Sequence, residues 1–288
     1  MILEFVCQND NIRLSEELKL HVTRKLYRNI KSSNAPIYVN RVRTEPHNYI
    51  MKGDSIVIEL IVEKEIDWPI YESKLDIRYE DDNYLVVYKP HGLLSIPTKS
   101  EPRSIYQEII YFLQETYQEL TPSLLNRLDK ETRGLMVVAK NRFAANYLQP
   151  THEKMVRKYQ CIVHGILENK KGRIETFIDQ EPDSHRRFVS DSTGKLAISN
   201  YKVLKEYDNK SLLEFVLDTG RTHQIRLHCN HLGHPIVGDM MYGNIEDNTS
   251  MKLCSYYVKF YNPYTKEYVE VKLDECFNEG EEIWKNKL

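Results

Sequence analysis

Apolar residues follow two spacings along this chain. In RLSEELKLHVTRKLYRNIK (13–31), Leu14, Leu18, Val22, Leu26 and Ile30 recur every four positions, which predicts an amphipathic helix starting near Ser15. SIYQEIIYFLQETYQE (104–119) repeats that spacing at Ile105, Ile109, Ile110, Leu113 and Tyr117 and predicts a second helix. NRFAANYLQPTHEK (141–154) reads as a third, and RTHQIRLHCNHLGHP (221–235) as a short fourth, closed by Gly233 and Pro235.

The remaining apolar segments are strands. IYVN (37–40) and the alternating SIVIELIV (55–62) flank a turn. YLVVYK (84–89) and GLMVVAK (134–140) have the profile of buried strands. KYQCIVHGIL (158–167) alternates up to its turn at Gly165. LAISNYKVLKEYD (196–208) and KSLLEFVLDTG (210–220) meet at Asp208-Asn209, a hairpin signal, and YYVKFYNPYTKEYVEVKL (256–273) turns at Asn262-Pro263. Strands outnumber helices and most neighbours are joined by tight turns. The expected fold class is α+β, with a mostly antiparallel mixed sheet carrying a few helices. The acid-rich EKEIDWPIYESKLD (63–76) reads as a linker. It separates a small α/β unit, 1–66, from a larger one, 67–288.

With 288 residues the chain can bury a substantial core without staples. Its five cysteines, at 7, 161, 229, 254 and 276, are odd in number and form no CxxC. That disfavours a disulfide framework or structural zinc and points to a reducing compartment. The N-terminus does not read as a signal peptide and no apolar run reaches membrane-spanning length, so a cytoplasmic location is expected. Net charge is −2. The sum hides an uneven distribution: residues 19–44 carry Lys19, Arg24, Lys25, Arg28, Lys31, Arg41 and Arg43 and no acid. Such a run is either a solvated helix face or a surface that tracks phosphates.

NRLDKETRGLMVVAK (126–140) places one acid, Asp129, among Arg127, Lys130 and Arg133, just ahead of a buried strand. A lone Asp there is often a turn cap. The neighbouring cations favour its charged form, however, and a half-buried carboxylate in that form can act as nucleophile or base. On a helix over 222–232, Arg226 falls between apolar neighbours, so it either points inward or lies on the solvated helix face. A buried guanidinium requires a carboxylate, and Asp129 is the expected partner. His223, His228, His231 and His234 crowd the same segment, but ligand spacing with an acid or thiolate is missing and the HExxH pattern is absent, so no metal is expected. No phosphate-binding glycine loop, dinucleotide fingerprint or nucleophile elbow occurs, so no cofactor is expected.

Taken together, YLVVYKPHGLL (84–94), NRLDKETRGLMVVAK, RKYQCIVHG (157–165) and GRTHQIRLHCNHLGHPIVGDMMYG (220–243) resemble the conserved blocks of the RluA family of pseudouridine synthases. The resemblance is strong over about 75–245. Residues 12–62 are similar to the small RNA-binding module, named after a ribosomal small-subunit protein, that precedes many such domains. The resemblance implies a pseudouridine synthase fold and conversion of uridine in RNA to its carbon-linked isomer, without cofactor or metal. It implies Asp129 as the catalytic carboxylate, attacking the sugar or removing a sugar proton, with Arg226 as its ion-pair partner. Tyr159 would lie under the uracil and serve in the last proton transfer. Arg127, Asn126, Arg221, His223 and Gln224 would contact the target nucleotide, Arg127 holding it out of its stack. Two positions depart from the family pattern: Asn126 stands where it has His, and Arg133 where it has Ser. Large-subunit ribosomal RNA is the expected substrate, transfer RNA the alternative, and a monomer the expected state. Two rivals are a non-catalytic RNA-binding protein and a nucleoside or glycoside hydrolase. The second usually needs two carboxylates.

Overall fold

The apolar runs at 84–88 and 135–139 are continuous because both faces of one sheet are covered. Tyr84, Val86, Leu135, Val137 and Ala139 join one buried cluster, while Leu85, Val87, Met136 and Val138 join the other. Alternate side chains of a strand leave on opposite faces, so a strand covered on both sides needs apolar residues at every position. The computed structural model describes residues 2–22, 27–28, 30–31, 34–59, 71–116, 122–148, 155–184, 186–243 and 247–277. It divides into two compact units, Met1–Asp67 and Trp68–Leu288. The expected linker dipeptide Trp68-Pro69 lies outside the described residues, as do 60–62 of the expected strand, 117–119 of the expected second helix and 149–154 of the expected third.

The smaller unit contains β1 (Ile2–Val6), β2 (Ile12–Arg13), α1 (Leu14–His21), β3 (Ile37–Val39), β4 (Val42–Arg43), β5 (Tyr49–Ile50) and β6 (Ser55–Glu59). β1, β6, β3 and β4 form an antiparallel sheet in that order. Leu14 and Leu18 of α1 are fully buried, and so are Leu3, Ile56 and Ile58. The first helix stops before the predicted run ends: Val22, a β-branched residue, caps it in an extended conformation, residues 27–28 and 30–31 are helical again, and Leu26 lies outside the described residues. Buried Glu17 is satisfied by the Gln8 amide at 2.7 Å, the Asn9 side chain at 2.8 Å and His21 at 3.0 Å.

The larger unit contains β7 (Ile77–Glu80), β8 (Tyr84–Lys89), α2 (Ile105–Thr116), β9 (Ser123–Leu124), β10 (Arg133–Ala139), α3 (Arg142–Leu148), β11 (Met155–His164), β12 (Lys171–Gln180), β13 (Arg187–Ser190), β14 (Lys195–Tyr207), β15 (Lys210–Leu217), α4 (Gln224–His231), β16 (Leu253–Asn262) and β17 (Glu267–Lys272). The described strands build one 11-stranded sheet, ordered β13-β12-β14-β15-β11-β16-β10-β8-β7, with β17 on β16 and β9 on β10. It is mixed: β10 and β16 run parallel, the other pairs antiparallel. The parallel contact depends on Gly134. Its φ is +120°, and a Cβ there would stand 2.2 Å from the Ser255 carbonyl oxygen. At Asp208-Asn209 both residues take positive φ, as a tight two-residue hairpin turn requires. Ile105, Ile109 and Leu113 from α2 and Ile225 and Cys229 from α4 pack on one face with Tyr159 and Leu128. Ala144, Ala145 and Leu148 from α3 pack on the other. No described helix is long and apolar enough to cross a membrane.

Candidate active site

Three loops converge at the end of β8, the start of β10 and the start of α4, and the first two are pinned together by a lysine. Lys89 is fully buried, and its ammonium donates to the carbonyls of Pro90 (2.8 Å), Leu93 (2.7 Å) and Lys130 (3.0 Å). Burial lowers its pKa to about 8, against the pull of Asp129 and Glu131. The turn that bears Asp129 is closed by Thr132 N–H on the Asp129 carbonyl at 3.0 Å and tied to the Lys89 loop by Gly92 N–H on Lys130 O at 2.9 Å. On its other side the Ser95 hydroxyl donates to Leu128 O at 2.6 Å and accepts from Leu128 N at 3.0 Å. The backbone on both flanks of Asp129 is therefore fixed while its side chain remains about one quarter exposed, at 28%.

Asp129 stands where two lobes of a cleft meet, each about 760 Å³ in volume. One lobe holds Ser95, Asn126, Arg127, Arg157, Tyr159, Arg221 and Gln224; the other holds His91, Glu131, Arg186, Asp239, Met240 and Met241. Asp129, Lys130, His223 and Arg226 border both. Tyr159 is buried, and burial pushes its hydroxyl above the ordinary value, with Asp129 adding to the rise and Arg157 opposing it. The phenol is thus protonated at rest.

Arg226 points inward from α4, but its direct partner is Asp239. Nε reaches Oδ2 at 2.7 Å and Nη2 reaches Oδ1 at 2.6 Å, in a bidentate pair whose side chains are only 5% and 1% exposed. The Asp239 carboxylate also accepts from Met241 N (3.0 Å) and Tyr242 N (3.1 Å). Burial alone would raise Asp239, but the guanidinium and these two amides hold it below its ordinary value. The expected Asp129–Arg226 ion pair is thereby corrected: Asp129 acts on Arg226 through space only. Asp239 wins because it lies 13 residues on, in a turn brought against α4 by Gly238. That glycine has φ +78°, and a Cβ there would stand 2.6 Å from Ser250 O. Of the three bases flanking Asp129 in sequence, Lys130 is bonded to Glu101 at 2.7 Å, while Arg133 reaches Ser250 at 3.1 Å and stacks on Phe277. Lys89, the His223 imidazole and Arg226 all feel the Asp129 carboxylate through space.

Two expected substrate contacts are framework residues. Gln224 spends both donors and its acceptor inside the chain, on Ile198 O (3.0 Å), Ser199 Oγ (2.9 Å), Thr219 Oγ1 (2.8 Å) and Arg221 N (2.9 Å). Asn126 accepts from Val137 N at 2.7 Å and donates to Leu135 O at 3.3 Å, fastening the Asp129 loop to β10. Arg127 and Arg221 are exposed along the cleft, Arg221 steadied by Leu196 O at 2.9 Å. His223 faces Asp129, its Nε2 4.0 Å from Oδ2. His228 is a core residue between Ser199 (2.9 Å) and Thr176 (3.0 Å), lowered to about 4 by burial. Among the described residues no group of His, Cys, Asp and Glu is placed to hold a metal ion. In the smaller unit Lys19, Arg28, Lys31, Arg41 and Arg43 are exposed, and Arg24 and Lys25 lie outside the described residues. Lys31 and Arg43 share a 450 Å³ groove with Arg13 and Tyr27. Lys89 and Asp239 were not singled out as site residues from sequence. A lysine closing an apolar run was the only signal for the first, and a Gly-Asp after Pro-Ile-Val for the second.

A family model described as RNA pseudouridylate synthase matches residues 83–231. The chain is 32% identical over 254 residues to the uncharacterized RNA pseudouridine synthase YjbO of Bacillus subtilis, covering 86% of this chain and 90% of the relative. It is 34% identical over 235 residues to the ribosomal large subunit pseudouridine synthase D of Buchnera aphidicola, covering 80% and 72%. The solved structure of human RNA pseudouridylate synthase domain containing 1 superposes with a TM-score of 0.60 at 25% identity, covering 73% of this chain and 87% of that one. The match takes in Asp129, Tyr159 and Arg226, and the chain belongs to the RNA pseudouridylate synthase family of RluA type, isomerases that convert uridine in RNA to pseudouridine.

Proposed function

We propose that this isomerase acts on large-subunit ribosomal RNA, with Asp129 as its catalytic carboxylate. The observation that carries the role of Asp129 is its place in the cleft. Among the described residues three acids line the two lobes, and two are already engaged: Asp239 is locked to Arg226, and Glu131 pairs with His91 at 2.7 Å. Asp129 alone is aimed, partly exposed and near several cations. Attack on the sugar and removal of a sugar proton both need such a carboxylate. Among the described residues of this lining no second acid is left unengaged, whereas glycoside hydrolysis usually uses two.

In the isomerisation the bond from N1 of uracil to C1′ breaks, the ring turns, and C5 bonds to C1′. The hydrogen on C5 leaves to solvent and N1 takes a proton, so mass is unchanged. Tyr159 forms the floor of the lobe that receives the ring, and its hydroxyl relays the C5 proton. Because burial keeps that hydroxyl protonated at rest, it works as a relay rather than as a standing phenolate. Arg226 and Asp239 form the wall. A base stacked in a helix is out of reach, so the nucleotide is swung out, and exposed Arg127 fills its place. The unit 1–66 adds affinity through Lys19, Arg28, Lys31, Arg41 and Arg43 along the phosphate backbone.

Relatives named for the large ribosomal subunit support the choice of RNA. Such a substrate implies a cytoplasmic enzyme. Every group named comes from one chain, so a monomer suffices. Mapping pseudouridine in RNA from cells with and without the gene tests the substrate. Loss of a site in large-subunit ribosomal RNA is expected. Loss confined to transfer RNA would replace that substrate, and no lost site in any RNA would refute the activity.

A further inference from the structure

We propose that His223 is a positioning residue for Asp129: its imidazole, held from behind by the Tyr242 hydroxyl, presents an N–H to the carboxylate and keeps it aimed into the cleft. The inference rests on the reading of Asp129 given above.

The geometry begins with Tyr242. Its phenol oxygen accepts from the backbone N–H of Arg187 at 2.9 Å and lies 2.8 Å from His223 Nδ1. Its ring is fixed by the guanidinium of Arg226 at 4.9 Å and that of Arg186 at 5.7 Å. With the oxygen already accepting, the hydroxyl hydrogen has Nδ1 as its partner. Nδ1 is then the acceptor, and a neutral ring carries its proton on Nε2. Nε2 is the atom that faces Asp129, 4.0 Å from Oδ2. That gap is about an ångström too long for a hydrogen bond. A partly exposed carboxylate closes it by turning, and bonds of this kind commonly tighten once substrate fills the site.

The ring stays neutral for reasons visible around it. Burial disfavours the imidazolium. Asp129 and Asp239 favour it, Arg226 and Arg187 oppose it, and the net displacement is downward from 6.5. The backbone supplies an independent sign. His223 caps α4 with φ +60°, in the left-handed region that a side chain with a Cβ rarely enters. Strained residues of this kind cluster at functional sites.

The test uses the full-length chain, bulk large-subunit ribosomal RNA carrying 5-tritiated uridine from cells lacking the gene, and tritium release as readout. His223→Asn keeps the backbone but loses the group that reaches Asp129. It is expected to melt at or above the wild-type temperature. Its kcat should fall about 10- to 100-fold, the penalty for a misaligned reacting group, with KM within about twofold. His223→Gln places an amide N–H near the position of Nε2–H and should recover much of the rate. In the wild type kcat/KM should fall on the acid side through an inflexion below 6.5, where the imidazolium would lock Asp129 in an ion pair; in His223→Gln that inflexion should vanish. Wild-type kcat in His223→Asn, or an unchanged acid limb in His223→Gln, would overturn the proposal. Asp129→Asn separates the two readings. If it is inactive while His223→Asn is fully active, only this proposal fails; if it turns over normally, the assignment of Asp129 fails first.

Discussion

Arg226→Met is the perturbation whose consequences the structure specifies most fully. It removes the guanidinium that makes two charge-assisted bonds, 2.7 and 2.6 Å, to an Asp239 that is 1% exposed. The loss leaves a buried carboxylate with only the Met241 and Tyr242 amides as partners. Stranding one member of a buried pair costs about 3–5 kcal/mol. In a unit of this size that corresponds to a melting temperature lower by roughly 6–20 °C. Arg226→Met/Asp239→Asn removes the stranded charge while leaving an amide oxygen for those two N–H groups, so most of the stability should return. If Arg226 also shapes the field at Asp129, turnover in the double variant stays low although the fold is restored. Thermal melts and tritium release on the same three proteins check both parts. The pair also has a pH signature. Asp239 is held below its ordinary value, so its contribution is complete above about pH 4 and is lost as pH falls through the depressed folded value. Wild-type melting in Arg226→Met would refute the buried pair.

Three further outcomes follow from other positions. Lys89→Met leaves three carbonyls without their donor, each worth about 1–3 kcal/mol when buried. Because folding lowers Lys89 to about 8 from 10.5, the unfolded chain binds more protons between those values, and the fold gains stability as pH rises through that window; urea titrations should show the wild type pulling ahead of the variant there. Gly134→Ala forces a Cβ to within 2.2 Å of the Ser255 carbonyl oxygen at φ +120°, and a loss above about 4 kcal/mol is expected in melting experiments. Arg41→Ala/Arg43→Ala should weaken RNA binding and flatten the plot of log K against log salt by about 1–2, with kcat unchanged.

The strands legible in sequence were those with a regular apolar pattern. β8 and β10 are covered on both faces, and β11, β14, β15 and β16 alternate or run apolar up to a recognisable turn. β12 and β13, the last two strands at one end of the sheet, carry no such pattern. KGRIETFIDQ hides its alternation at Ile174, Thr176 and Ile178 behind charges on the open face. β1 is too short to stand out, because ILEFV is only five residues long and has no turn signal before it. That Asp129 and Tyr159 share one lobe of the cleft agrees with their standing in recognisable blocks, and the inward turn of Arg226 is one of the two orientations its helical spacing allows. Its partner did not follow, because spacing says which way a side chain points and not which loop folds back to meet it. Burial misled the reading of Asn126 and Gln224. Their polar groups look available in sequence, yet unpaired backbone amides, carbonyls and hydroxyls absorb them.

The most direct test of the central claim is single-turnover tritium release by Asp129→Asn, which keeps the size of the side chain and removes its charge. With 5-tritiated large-subunit ribosomal RNA from cells lacking the gene, wild-type enzyme should release tritium while the variant binds the RNA equally well and releases none above background. Release at the wild-type rate by the variant would contradict the assignment of Asp129 as the carboxylate that does the chemistry.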